Sequence, residues 1–298
     1  MKDLNRVVNV LYIETGTLGG GSFNSLLQHL SVIDRKKYKP IIFCFNDTPI
    51  TKLWIKMGIS VYVIHNRVYS IKTNNIFDLI YKTTFNRVMK LFNHWEIPIT
   101  KFYHRESIKE IKRFILSNDI SIVHLNVNIY RDLFGLIATQ GTGAVCISHL
   151  RSNIQPILSE AFVNFVNKHI KIFIANSKAT KNHWESLGLS EQKIKIIHNI
   201  INDKKVKQNF NIYNEHSIPG SFKRIIGCVA SMYPVKGQKY LLDSFSELIR
   251  ESNIYYLIIV GDGAMMKEIE LKIQRLKIKN SVLLAGYKDN AMDYIKSF

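Results

Sequence analysis

The chain has 298 residues, 46% of them hydrophobic, enough to bury a large core and, by length, to form about two domains. Its 41 Lys and Arg against 23 Asp and Glu give a formal net charge of +18, a field that draws in nucleic acid, anionic membrane or phosphorylated substrates without choosing among them. No apolar run of about eighteen residues occurs and the first residues, Met1 to Arg6, lack an apolar core, so the expectation is a cytoplasmic protein with neither a transmembrane helix nor a secretion signal.

Short apolar runs at 7–13, 40–45, 61–64, 122–125, 145–148, 172–175 and 195–198 alternate with helical segments, the pattern of a doubly wound parallel α/β domain over residues 1–201. Thr48-Pro49 reads as an N-cap with proline at the first helical position. Ser177 caps a helix that runs to Leu187 and stops at Gly188. The segment 81–92 mixes Lys82, Arg87 and Lys90 with aromatic and aliphatic residues. It reads either as an amphipathic helix lying on an anionic membrane or as an ordinary helix facing the core. Cys44, Cys146 and Cys228 each fall inside an apolar strand-like run and are expected as buried, reduced thiols.

Residues 202–222 are polar and turn-rich and read as an interdomain linker. A second sheet is expected from 224–230 within a domain 223–298. A helix at 238–251 with Leu241, Leu242, Phe245, Leu248 and Ile249 on one stripe covers it, and another helix is expected at 264–276.

Three successive strand ends of that second sheet carry residues suited to an anion. Lys236 precedes Gly237 and a helix N-terminus, where free N–H groups and the positive end of the dipole already favour a phosphate. Gly261-Asp262-Gly263 and Gly286-Tyr287 follow at the next two ends. In the first domain, Gly19, Gly20 and Gly21 occupy the turn after the first strand, where glycines allow close backbone approach. With Gly16 they give G-x-x-G-G-G, which is not the dinucleotide fingerprint. His149 closes the fifth strand, at the rim where open α/β sheets bind ligands, and His124 lies one strand earlier. No ligand-spaced metal cluster, Asp-x-Asp, G-x-S-x-G elbow or P-loop occurs.

Taken together, Gly19-Gly20-Gly21, Val123-His124, Ser148-His149, Asn176-Ser177, His198-Asn199, Lys236-Gly237 and Gly261-Asp262-Gly263 resemble, in this order, the nucleotide-sugar-dependent glycosyltransferases of the GT-B fold, in particular retaining family 4. The resemblance implies two Rossmann-like domains facing a cleft and transfer of a sugar from a nucleotide diphosphate sugar to a glycan or lipid-linked hydroxyl in capsule, lipopolysaccharide or glycolipid assembly. It implies no metal and no cofactor, and no nucleic-acid partner; the protein would be cytoplasmic or peripheral at the inner membrane face. By the same resemblance His149 orients the donor sugar and Lys236 holds the departing diphosphate. Gly19 to Gly21 face the diphosphate or the acceptor, Gly261 to Gly263 lie beside the donor, and Gly286 and Tyr287 lie against the nucleobase. Ser231 stands where the family commonly has an arginine, and two readings stand open: Lys239 or Arg224 covers that loss, or catalysis is weakened. The family continues beyond the point matching Phe298 with a glutamate-rich donor loop. The second domain is therefore expected to be truncated, and an impaired remnant that binds an anionic surface stands as the alternative reading.

Overall fold

The computed structural model describes residues 6–16, 21–64, 66, 68, 76–91, 95–153, 158–199, 210–288 and 290–298, with the backbone alone at 76–79 and 90. The chain forms two compact units, Met1–Ile201 and Asn202–Phe298.

In the first unit the strands are β1 (Val8–Glu14), β2 (Tyr38–Cys44), β3 (Ser60–Val63), β4 (Ile120–Leu125), β5 (Val145–Leu150), β6 (Ile170–Ala175) and β7 (Ile194–Ile196). The helices are α1 (Gly21–Val32), α2 (Pro49–Lys56), α3 (Ile76–Leu91), α4 (Glu96–Tyr103), α5 (Arg105–Ser117), α6 (Leu133–Thr139), α7 (Glu160–His169) and α8 (Lys178–Ser186). All seven strands are parallel, in the order β3-β2-β1-β4-β5-β6-β7. The chain reverses its direction of winding between β1 and β4, and such a reversal opens a crevice at the carboxyl ends of the strands.

Alternation along β1 shows how the strands are buried on both faces. Leu11 and Ile13 join the core under α5, α6, α7 and α8, while Val10 and Tyr12 pack against Phe23, Leu26 and Leu30 of α1 and Trp54 of α2. Every residue of α6 is buried. It lies so close to the sheet that a Cβ on Gly135 would come 2.7 Å from Ile13 and 2.8 Å from Leu125. Both residues stand at the expected N-cap positions: Ser177 accepts from the Thr180 N–H, and Thr48, before Pro49, donates its N–H to Thr51 Oγ1 at 3.2 Å.

α3 begins five residues earlier than the sequence reading placed it. Phe85 and Met89 are buried with Ile99 of α4, so the core-facing reading describes this stripe. Among the described residues of the region, the exposed apolar ones are instead Ile80, Leu91, Trp95 and Phe102. No helix among the described residues is long and apolar enough to cross a membrane.

The second unit contains α9 (Ile212–His216), β8 (Arg224–Val229), α10 (Gln238–Glu251), β9 (Tyr255–Val260), α11 (Met266–Arg275), β10 (Val282–Gly286) and α12 (Ala291–Ser297). Its sheet is parallel in the order β10-β9-β8. One face carries Leu242 and Phe245 of α10 with Ile269 and Ile273 of α11; the other carries Ile212, Ile218 and Tyr294. The linker expectation is therefore corrected for residues 211–222. They hold a helix capped by Asn211, and Ile212 and Ile218 anchor it in this unit's core. Tyr294 adds a hydrogen-bonding contact of 2.8 Å between its hydroxyl and His216 Nε2. Residues 202–209 lie outside the described ones. Cys44 and Cys146 are buried and Cys228 is only partly so, and all three are free thiols.

Candidate functional site

In the first unit the crevice between β1 and β4 is lined by a buried polar network. Glu14, the last residue of β1, accepts from the Gly16 N–H at 2.7 Å and from Ser22 Oγ at 2.9 Å, and also from the Asn126 side-chain amide just past β4. Burial raises the Glu14 carboxyl above its usual range, and these donors with the nearby Arg151 partly offset it. Asp132 lies deeper, accepting from Thr15 Oγ1 at 2.6 Å and from the N–H groups of Val127 and Asn128 at 2.9 and 3.2 Å. Burial pushes its carboxyl up to about 7.

Arg151, one residue beyond β5, joins three segments. It donates through Nε to the Asn126 carbonyl at 2.6 Å, through Nη2 to Asn126 Oδ1 at 2.8 Å and through Nη1 to Ser25 Oγ of α1 at 2.7 Å. A further bond of 3.3 Å reaches Asn199 Oδ1 beyond β7. Burial lowers this guanidinium to about 10, with Glu14 and Asp132 opposing the shift.

Beside this clamp is a cavity of about 170 Å³ lined by His29, His124, His149, Arg151, His198 and Asn199 among others. The sequence-predicted residue His149 is here, partly buried. Its Nδ1 lies 2.7 Å from Nε2 of His124, which is 4% exposed. His29 meets the Tyr12 hydroxyl at 3.0 Å. Burial lowers His124 and His149 well below the usual imidazole range, helped by Arg151 and the neighbouring rings, so both are neutral at physiological pH. Gly19 and Gly20 lie outside the described residues. Gly21 opens α1, exposed, with no atom within 4 Å of where a Cβ would sit.

In the second unit the three strand ends are joined by backbone hydrogen bonds beyond the strands themselves. Ala230 donates to Val260, Met232 N–H to the Asp262 carbonyl at 2.9 Å, Met265 N–H to the Met232 carbonyl at 3.1 Å, and Gly261 N–H to the Gly286 carbonyl at 2.8 Å. Gly261 has φ +140°, and a Cβ there would sit 2.0 Å from the Ala230 carbonyl oxygen, so only glycine fits. Gly263 faces Met232 in the same way, at 2.6 Å. Lys236 ends a single 3-10 turn, Pro234–Lys236, and is exposed without an ion pair among the described residues. Gly237 follows in the left-handed region at φ +73° and opens α10. Gln238, 1% exposed, donates from its amide to the Ser231 carbonyl at 3.0 Å, tying the start of the helix to the strand end. Ser231 and Asp262 lie on this rim, and Tyr287 stands 71% exposed.

Of the two cations named in place of the missing arginine, Arg224 is not placed for that role and Lys239 has an acidic neighbour. Arg224 begins β8, and at roughly 3.3 Å per residue it lies on the order of 20 Å from Ser231, at the opposite end of the strand. Lys239 is paired with Glu268.

Among the described residues no three His, Cys, Asp or Glu side chains are grouped to hold a metal ion. The Glu14–Asn126–Arg151 clamp was not found from the sequence. The one signal available was the acidic residue closing the first strand.

Two parallel α/β units, the second with a glycine-rich strand-end rim and an exposed lysine at a helix start, have the architecture of the Rossmann-like domains of the GT-B fold. Residues 49–205 match the family model described as Glycosyltransferase Family 4, and residues 211–297 match that of Glycosyl transferases group 1. The first match spans more than half of the chain, which therefore belongs to glycosyltransferase family 4. A stretch of 123 residues is 28% identical to an uncharacterized glycosyltransferase, MJ1059, of Methanocaldococcus jannaschii; it covers 41% of this chain and 30% of that protein. Among solved structures, Anabaena Alr3699/HepE in complex with UDP and glucose has a TM-score of 0.72 at 18% identity, over 97% of this chain and 72% of that one. The lipopolysaccharide outer core galactosyltransferase WaaB gives 0.58 at 16% identity, over 97% and 71%. A putative UDP-N-acetylglucosamine 2-epimerase from Listeria monocytogenes gives 0.60 at 13% identity, over 97% and 71%. At these identities the structural likenesses show the fold alone, and an epimerase shares it.

Proposed function

We propose that the protein transfers a sugar from a nucleotide diphosphate sugar, with UDP as the leaving nucleotide, to a hydroxyl of a glycan or lipid-linked acceptor in surface polysaccharide or lipopolysaccharide assembly. The observation that carries this reading is the second unit's rim, where Lys236 and the start of α10 offer positive charge beside the Gly261–Gly263 turn at two adjoining strand ends. UDP is favoured because the HepE structures hold UDP, UDP with glucose, or UDP-glucose.

In this reading the acceptor oxygen bonds to the anomeric carbon on the face from which the diphosphate departs, and configuration is retained. The bond from that carbon to the diphosphate oxygen breaks, and its electron pair stays on the phosphate. The acceptor's proton leaves with the nucleotide. Lys236 and the free N–H groups of α10 stabilise the charge that develops there, so the step needs no metal ion. His149 orients the sugar. Gly19 to Gly21 approach the diphosphate or acceptor, Asp262 adjoins the donor, and Tyr287 with Gly286 lies against the base.

Ser231 in place of the arginine, with Arg224 at the opposite end of β8 and Lys239 beside Glu268, favours a second reading, an impaired transferase that binds nucleotide without turnover. Incubation with a panel of UDP-sugars and glycolipid acceptors, with UDP release as the readout, separates the two. Release dependent on acceptor supports transfer; binding without release supports the impaired form; neither binding nor release contradicts both.

We further propose residence in the cytoplasm with peripheral attachment to anionic membrane. Exposed Trp95 and Phe102 stand beside exposed Lys101 and Arg105, an arrangement suited to a headgroup layer. Flotation with phosphatidylcholine vesicles, with and without phosphatidylglycerol, tests it. Equal recovery from both would contradict it.

A further inference from the structure

Arg151 brings a fixed positive charge to the cavity beside the clamp, and no acidic side chain is found among the described residues lining that cavity. The guanidinium forms no ion pair among the described residues. Its hydrogen bonds all go to neutral oxygens, those of the Asn126 carbonyl and side chain, Ser25 and Asn199. Glu14 and Asp132 act on it by charge, but the oxygens of Glu14 accept from Gly16, Ser22 and Asn126, and those of Asp132 from Thr15, Val127 and Asn128. Burial raises both carboxyls, which weakens the negative charge they offer. Burial also lowers the imidazoles of His29, His124 and His149, with Arg151 adding to it, so at physiological pH these rings contribute no further charge. A guanidinium drawn partly out of water without a counter-ion carries a desolvation cost that a bound anion would offset.

We propose that this cavity is an anion subsite that takes the carboxylate or phosphate group of an acidic sugar, with Arg151 as the cation that recognises it. The contacts of Arg151 suit exchange with a ligand. A guanidinium only donates, so Asn199 turns its Oδ1 towards Nη1, at 3.3 Å, and the NH2 of the same side chain is left as a donor. Asn199 is exposed and its bond to Arg151 is long, whereas the two bonds to Asn126 are short and part-buried. An oxyanion can therefore take the place of Asn199 at Nη1 while the fork stays on Asn126. Ile174 and Ile197 on the lining give a sugar ring an apolar surface beside these polar groups. The inference rests on the proposed sugar transfer only in taking the ligand to be a sugar; the preference for an anion follows from the charge.

The test follows the histidine-ring resonances of the chain while glucuronate, glucose 6-phosphate and glucose are titrated in turn. The two acids cover the two sources of the anion. At least one of them should shift the His29 and His149 rings saturably and bind roughly tenfold or more tighter than glucose, with His216 of the second unit unmoved. Preference for glucuronate alone assigns a uronate, and preference for glucose 6-phosphate alone a phosphorylated sugar. Arg151→Gln, which keeps a planar donor and removes the charge, should bring the acid to the affinity of glucose. Ser25→Asp should do the same by setting a carboxylate against Nη1, which Ser25 Oγ meets at 2.7 Å, and it decides if Arg151→Gln does not fold. Equal binding of all three sugars, binding of none, an acid preference that survives in either folded variant, or shifts confined to His216 would overturn the proposal. A chain that binds the acid at this cavity but releases no UDP from any donor contradicts the transfer reading and leaves the subsite intact.

Discussion

Arg151 grips Asn126 at two points, its Nε on the carbonyl oxygen and its Nη2 on the side-chain oxygen, at 2.6 and 2.8 Å. Asn126 in turn donates to Glu14, so the carboxyl ends of β1, β4 and β5 are set relative to one another by side chains and not only by the strand ladder. Arg151→Lys keeps the charge but cannot reproduce the fork. The expected loss is about 1–3 kcal/mol for the unsatisfied buried acceptors, read as a melting temperature lower by about 2–4 °C for each kcal/mol. A lysine variant that melts with the wild type would show that the fork does not hold the rim.

Gly261→Ala places a methyl group 2.0 Å from a carbonyl oxygen, against backbone that cannot yield without opening the β8–β9 end. The strain should cost about 1–3 kcal/mol and weaken nucleotide binding together with stability. Gly21→Ala is the useful contrast, since no atom lies within 4 Å of its Cβ position. Loss of nucleotide binding there without loss of stability would locate a ligand at the α1 start. Calorimetric melting with a parallel binding titration reads both.

Asp132 sets a pH dependence whose sign follows from burial. Its carboxyl rises from the ordinary 3.8 to about 7, so the folded chain holds a proton that the unfolded chain has released. Stability from this group is full below pH 4, falls as pH rises towards about 7, and is flat above. Glu14 shifts in the same direction. Asp132→Asn should flatten the difference between urea midpoints measured at pH 5 and pH 8. An unchanged difference would mean that Asp132 is ionised throughout.

Thiol reactivity should divide the cysteines. Burial pushes the Cys44 thiol up to about 12 and the Cys146 thiol further, while Cys228, partly buried, is raised less. At pH 8 an aromatic disulfide reagent should titrate Cys228 slowly and the other two only after unfolding. Rapid modification of Cys146 in the folded chain would contradict its burial in the first unit.

The strand-to-helix rhythm was legible because continuous apolar runs such as 10–13 and 256–260 depend only on neighbours in sequence. The strand-end positions of His149 and Lys236 were legible for the same reason, since each follows from its own local motif. The Glu14–Asn126–Arg151 clamp was not, since its members are brought together only by the order β1-β4-β5 and no local pattern marks an Arg that will donate inward. Residues 211–222 were read as linker because two apolar anchors, Ile212 and Ile218, are too few to show a period. Their partner Tyr294 lies far along the chain. Arg224 failed as a substitute for the absent arginine on strand direction alone: it starts the strand that Ser231 follows.

The central claim is that the second unit's rim binds a nucleotide diphosphate through Lys236, and isothermal titration of UDP into the chain and into Lys236→Ala tests it most directly. Lys236 is exposed and its side chain has no ion pair or hydrogen bond among the described residues, so the variant should fold as the wild type does. The account predicts saturable binding by the wild type and a dissociation constant roughly ten- to hundredfold weaker in the variant, the effect of losing one charge-assisted contact to phosphate. An equal constant in a well-folded variant, or no binding by the wild type, would contradict it.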